Sequence, residues 1–160
     1  MRAITSAKSA GPRSTWVDAA PFRAHVRHAT SVADVPWPVV AMAAGVSLSV
    51  VRALLVGRAG RPMTRIEPRL AAQLLRVDAD ELSALRVLRV PATLTTERLR
   101  GLLADGFPPL RLAQWCQIGP DELALLVDGD TLTCTRLTET LALAAERLRD
   151  ADQHRPSTAA

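Results

Sequence analysis

The stretch WPVVAMAAGVSLSVVRALLVG, from Trp37 to Gly57, most limits how this chain can fold. It is an apolar run interrupted near its middle by one glycine. Two short helices fit it, Trp37–Ala44 and Ser47–Val56, with a tight corner at Gly45. Gly45 suits the positive φ that such a corner needs. Ala41 is small where the helices cross closely, and Val46 plugs the space behind the corner. Val40, Ala44, Val51 and Leu54 supply the inward faces. Ser47 is placed to cap the second helix by accepting a hydrogen bond from a free N–H near Ser49 or Val50. A short helix, a glycine turn and a second helix is the arrangement that lays one helix in a DNA major groove. An ordinary helical hairpin is the plainer alternative.

A chain of 160 residues makes one domain or two small ones, and 48% hydrophobic residues suffice for a real core. No apolar run approaches the length of a membrane span. The early positive charges have no apolar stretch behind them, which argues against a signal peptide. Cys116 and Cys134 form no metal-ligand spacing and are expected as small buried groups. The expected compartment is the cytoplasm, at the nucleoid. Net charge is +4, but it is unevenly spread. Residues 1–76 carry 11 Arg or Lys against 3 Asp or Glu, a net of +8; residues 77–160 carry 9 against 13, a net of −4. That asymmetry points to a polyanion partner for the first half alone.

In chain order, residues 1–20 read as a flexible N-terminal arm, with Trp16 and Val17 candidates to pack on the first domain. Its Arg2, Lys8 and Arg13 fit contacts with phosphates or a minor groove, or else a solvated tail. Residues 21–77 read as a first helical domain. Pro21 opens a helix at its first position, and Phe22, Val26 and Ala29 share one face. His25 and His28 have no carboxylate or cysteine in a metal pattern. After Gly57, Arg58, Arg61, Arg65 and Arg69 fall within 12 residues, opposed by Glu67 alone. This density favours phosphate contacts over a merely solvated loop. Pro68 opens a further helix carrying Leu70, Leu74 and Leu75. Residues 78–94 read as a linker, with a short helical turn at Asp78–Leu85 and then a stretch that fits an extended segment, where Pro91 suits an edge or a break, without being read as a sheet. Residues 95–150 read as a second domain, with Thr95 capping a helix Thr96–Ala104 and Thr133 capping a last helix over 134–150. Residues 151–160 read as a flexible tail.

The block Phe107–Gly129, shifted back by 72 residues, lies over the first motif without a gap. Leu112 falls on Val40, Ala113 on Ala41, Cys116 on Ala44, Ile118 on Val46, Leu123 on Val51, Leu126 on Leu54 and Gly129 on Gly57. An internal repeat is stronger evidence for two such units than either motif alone. The second copy departs where function would show. Gln117 replaces Gly45, Asp121 and Glu122 occupy the first turn, and Ala124 replaces Arg52. Acidic residues there favour the helix end but repel phosphate. The expected fold class is all-α: two small helical bundles, each containing a helix-turn-helix motif, the second degenerate and serving structure or dimerisation.

The candidate DNA contacts are Ser47, Leu48, Ser49 and Arg52 on the second helix, with Arg58, Arg61 and Arg65 behind it. Arg52 has the donors to read a guanine edge, and Leu48 suits a thymine methyl. The loop arginines suit the backbone. There is no Gly-rich phosphate loop, no Ser-His-Asp grouping and no metal spacing, so no enzyme and no cofactor are expected. Partners compatible with the sequence are double-stranded DNA, a second copy of the chain, and a protein of the transcription machinery held by the acidic half. No membrane and no small-molecule ligand are expected.

Trp37, the AAGVS at Ala43–Ser47, and LLVGRAGRP at Leu54–Pro62 followed by Arg65-Ile66 resemble small tandem helix-turn-helix DNA-binding proteins of actinobacteria and their phages. Gly106–Gly129 resembles their second motif. The resemblance covers about residues 20–150. It implies a transcriptional regulator, akin to an immunity repressor, that senses no small molecule. Gln117 and the acidic second unit depart from a pair that reads DNA twice.

Overall fold

The structure is a computed structural model that describes residues 15–154, and over them the chain is mostly helical with strands of two or three residues. The first half runs β1 (Val17–Asp18), α1 (Ala20–Ala33), α2 (Trp37–Ala44), α3 (Leu48–Val56), β2 (Arg65–Ile66), α4 (Pro68–Leu75) and α5 (Ala79–Ala84). The second runs β3 (Arg89–Pro91), α6 (Thr93–Ala104), α7 (Pro109–Cys116), α8 (Pro120–Asp128), β4 (Thr133–Thr135) and α9 (Arg136–Gln153). The expected arm falls mostly, and the expected tail partly, outside the described residues. Within them Val17 pairs in β1 and packs on the core, while Trp16 stays half exposed.

Each half is closed by one short antiparallel pair. Val17 faces Ile66 and Asp18 faces Arg65 in the first; Arg89, Val90 and Pro91 face Thr135, Cys134 and Thr133 in the second. The pairs continue by matching bonds, Ala19 N–H to the Thr64 carbonyl and Ala92 N–H to the Leu132 carbonyl, both 2.9 Å. Ala19 and Ala92 are both buried and both precede the first helix of their half with the same backbone conformation. The repeat therefore extends from the helix pair to the strands on either side of it.

The sheet pairing corrects three sequence expectations. Residues 78–94 are not a linker: they hold α5, with Asp78 capping it through Asp80 and Glu81 N–H, and β3. Leu82 is buried, α5 packs on α1, and Arg86 forms an ion pair with Asp34 at the end of α1. Helix α6 begins at Thr93, because strand pairing stops at Ala92; Thr95 is then a buried residue inside the helix and not its cap. The same constraint holds Thr133 and Cys134 in β4, so Thr135 caps the last helix, its hydroxyl accepting from Thr138 N–H at 3.1 Å. That helix runs to Gln153.

One apolar cluster passes through both halves. Its fully buried members include Val40, Leu54, Leu74 and Leu82 from the first half and Leu99, Leu102, Leu126 and Leu141 from the second. Helix α9 packs on α6 and α7 and also on α2 of the first half. Trp115 N–H donates to the Leu141 carbonyl at 2.8 Å, anchoring α7 on α9. The Arg136 and Leu137 N–H groups donate to the carbonyls of Leu88 and Leu85, so the 85–88 turn serves the start of α9. Both cysteines are buried and free. Burial, helped by Cys134 nearby, pushes the Cys116 thiol up to about 12.

Leu82→Ala is expected to cost about 2–5 kcal/mol in denaturant unfolding, the range of a core leucine and not of a linker residue. Cys116 stays protonated in the folded chain while its unfolded form ionises above its ordinary value of 9.0. Its contribution to stability is thus whole below that pH and falls as pH rises from 9.0 toward about 12. Thiol labelling at pH 8 should track unfolding; rapid labelling of the native protein would contradict this burial.

Candidate nucleic-acid interface

Helix α2 ends in a Schellman turn. Val46 N–H bonds to the Ala41 carbonyl at 3.0 Å and Gly45 N–H to the Met42 carbonyl at 3.2 Å, with Gly45 at φ 65°. The second copy repeats both bonds, Ile118 to Ala113 at 3.1 Å and Gln117 to Gln114 at 3.2 Å, with Gln117 at φ 56°. The corner geometry survives the loss of its glycine. Ser47 caps α3, its hydroxyl accepting from Val50 N–H at 3.4 Å, and lies 3.1 Å from the Ser49 hydroxyl.

The face α3 turns outward carries Ser49, Arg52 and Val56, with Ser47 at its start. Val51 and Leu54 turn inward. Leu48 turns inward with them, at 7% exposure, because the first turn of α3 lies on the core behind the corner. Contrary to the sequence expectation, Leu48 is therefore not placed to meet a thymine methyl. Arg52, Arg58, Arg61 and Arg65 are all exposed, and among the described residues none makes a side-chain hydrogen bond or ion pair. Arg65 lies across from Asp18 in the β1–β2 pair. Arg58 and Arg61 are joined through their backbones: each N–H donates to the other's carbonyl at 2.9 Å.

Two residues of this region carry a role that the sequence pattern did not indicate. Arg23 Nε donates to the Leu54 carbonyl at 2.7 Å and its Nη2 to the Met63 carbonyl at 2.5 Å. Arg27 reaches the Leu55 carbonyl at 3.4 Å. Both are on α1 and hold the last turn of α3. The second copy repeats the device: Thr96 Oγ1 donates to the Leu126 carbonyl at 2.8 Å and Arg100 Nε to the Val127 carbonyl at 2.6 Å. The signal available in sequence was their spacing of four on a helix without acidic neighbours, which also fits a solvated face.

The basic residues of the second half are used differently. Arg98 pairs with Glu146, Arg136 with Glu139, and Arg149 with Asp105 and Asp150. Arg89 is bonded to Thr133. The exposed face of α8 carries Asp121, Ala124, Leu125 and Asp128. Among the described residues no group of three or more His, Cys, Asp or Glu side chains is placed to hold a metal ion. Among the described residues His25 Nε2 is buried without a partner, and no helix is long and apolar enough to cross a membrane. Comparison with protein-family models, curated proteins and solved structures gives no match for this chain.

Gly57 sets the exit from α3. It sits at φ 86°, ψ −179°, a region held almost solely by glycine. A Cβ there would run into the Arg61 carbonyl, with the Pro62 Cα at 3.2 Å. Gly129, its counterpart, is in the ordinary left-handed region, and a Cβ would meet only the Arg100 guanidinium at 3.5 Å. Gly129→Ala is expected to cost roughly 1 kcal/mol for the left-handed backbone. Gly57→Ala should cost clearly more, since backbone must move as well. Paired thermal melts check the order; equal losses would show that the turn yields freely.

Proposed function

We propose that this chain is a double-stranded DNA-binding transcriptional regulator of the repressor type. In this reading α2 and α3 form a helix-turn-helix unit and α3 enters the major groove. The observation that carries it is the distribution of unpaired arginine. Arg52, Arg58, Arg61 and Arg65 lie on and just after the α3 face with no side-chain bond to the described residues, while most described arginines of the second half are bonded within the fold. A surface that leaves guanidinium groups unneutralised favours a polyanion. Ser47, Ser49 and Arg52 are the candidates for base edges and Arg65 for the backbone, with Arg58 and Arg61 presented beside them. The second unit, with Asp121 and Asp128 where the first has Ser49 and Val56, repels phosphate and supports the first.

A second reading has the exposed α8 face as its own observation. Leu125 is 47% exposed beside Asp121 and Asp128, with no basic residue between Arg111 and Arg136. Such a face suits a basic protein surface, as on an adaptor to the transcription machinery. It is compatible with DNA binding by the first half.

Duplexes selected from a random pool by the full-length protein provide the test. Affinity for the winner should fall steeply with salt. Arg52→Ala should lose discrimination between winner and scrambled duplex by about 1–3 kcal/mol if Arg52 holds a guanine edge. Arg65→Ala should weaken both alike and lower the salt slope by about one. Failure to enrich any duplex at low salt, with a stable protein partner retained, would favour the adaptor reading. A uniform loss on Arg52→Ala would make that residue a phosphate clamp.

A further inference from the structure

The two halves can be aligned through their bonds, independently of their side chains. Gly57 corresponds to Gly129 at the end of the helix pair, and Ile66 corresponds to Cys134 in the closing strand, both buried. Eight residues separate the first pair and four the second. Thr64 and Leu132 accept the matching strand bonds, so the difference lies before them. The extra residues are accounted for by Arg58-Ala59-Gly60-Arg61. They form a closed loop of their own, with Arg58 and Arg61 exchanging both backbone bonds. Ala59 at φ 49° and Gly60 at φ 74° give the two positive φ values of a type I′ turn. The second copy closes the same architecture without it. The turn is thus an addition that the fold does not require.

Its chemistry points outward. Residues 58–61 are exposed, and a Cβ built on Gly60 meets nothing within 4 Å. Directly opposed residues of an antiparallel pair carry their side chains on one face, and like charges so placed repel. Arg58 and Arg61 are such a pair, with no carboxylate bonded to either among the described residues. Two adjacent guanidinium groups on a dispensable, free-standing turn make a cost that an anionic ligand removes. The tip is Ala59-Gly60, without bulk. The turn is only one opposed pair long, so what it offers a groove is two arginine side chains and a tip without bulk, not a whole ribbon. Arginine is attracted into narrow, A·T-rich minor grooves by their enhanced negative potential.

We propose that the Arg58–Arg61 turn inserts into the minor groove beside the α3 site and favours an A·T-rich flank there. This deepens the DNA-binding reading and rests on it.

The test uses full-length protein, the selected duplex, and versions of it whose flanks are A·T, G·C or inosine·C pairs. Inosine lacks only the guanine amino group that lies in the minor groove. Wild-type protein should prefer A·T and inosine·C flanks over G·C by roughly tenfold, the scale of one mismatched pair. The double variant Arg58→Ser, Arg61→Ser and a variant lacking residues 58–61 should lose that preference. Both should keep their circular dichroism, their melting behaviour and their discrimination of the core site. If wild-type protein ignores the flank and both variants weaken all duplexes alike, the turn is a phosphate clamp and the proposal falls. If inosine·C flanks behave as G·C, the preference is read in the major groove and the proposal falls. Unfolding of the deletion variant would overturn the claim that the turn is an addition, with the serine variant still reporting on the groove. If no duplex is bound at low salt by wild-type protein, the DNA-binding reading fails first and this one with it.

Discussion

The last carbonyls of a helix have no partner within it, and a helix that ends against the core must find donors elsewhere. In this protein the donors come from the helix two elements earlier. Arg23 and Arg27 on α1 supply the carbonyls of Leu54 and Leu55; Thr96 and Arg100 on α6 supply those of Leu126 and Val127. A cation at a helix C-terminus is favoured by the helix dipole as well. These bonds fix the α2–α3 and α7–α8 pairs against the first helix of each half. The exit from α3 is held by the same side chain, since Arg23 also bonds the Met63 carbonyl beyond the arginine turn.

The same bonds sort the charges. Arg23 and Arg27 are consumed by carbonyls, so the basic character that remains available in the first half belongs to Arg52, Arg58, Arg61, Arg65 and their neighbours. In the second half carboxylates on α9 and at Asp105 neutralise Arg98, Arg136 and Arg149, while Arg89 and Arg100 are bonded to Thr133 and to the Val127 carbonyl. One backbone plan, repeated, therefore carries two opposite surfaces. The corner shows how little of the plan depends on a given side chain: Gln117 adopts the conformation of Gly45 and keeps both turn bonds. Divergence falls instead on the outward positions, Arg52 to Ala124 and Ser49 to Asp121, and on the four-residue turn present in one copy.

The helix pair is legible in the sequence. Trp37–Ala44, the left-handed Gly45 and the Ser47 cap all derive from local rules about backbone conformation and unpaired N–H groups, which act within a few residues. The strands are not legible there. Two or three residues carry no period, and their bonds join positions far apart in the chain, such as Arg89 with Thr135 and Val17 with Ile66. Because pairing sets where α6 and α9 begin, Thr95 and Thr133 have the look of caps in their local sequence without serving as caps.

What the sequence by itself determined is the repeat, the helix pairs and the imbalance of charge, since composition and short-range periodicity carry them. Tertiary structure alone decided that residues 78–94 are built into the core, that Leu48 faces inward, and which arginines stay unpaired among the described residues. An arginine in the sequence is only a charge. Whether it meets a carbonyl, a carboxylate or nothing depends on groups brought beside it from distant parts of the chain, and the shared apolar core is what brings them there.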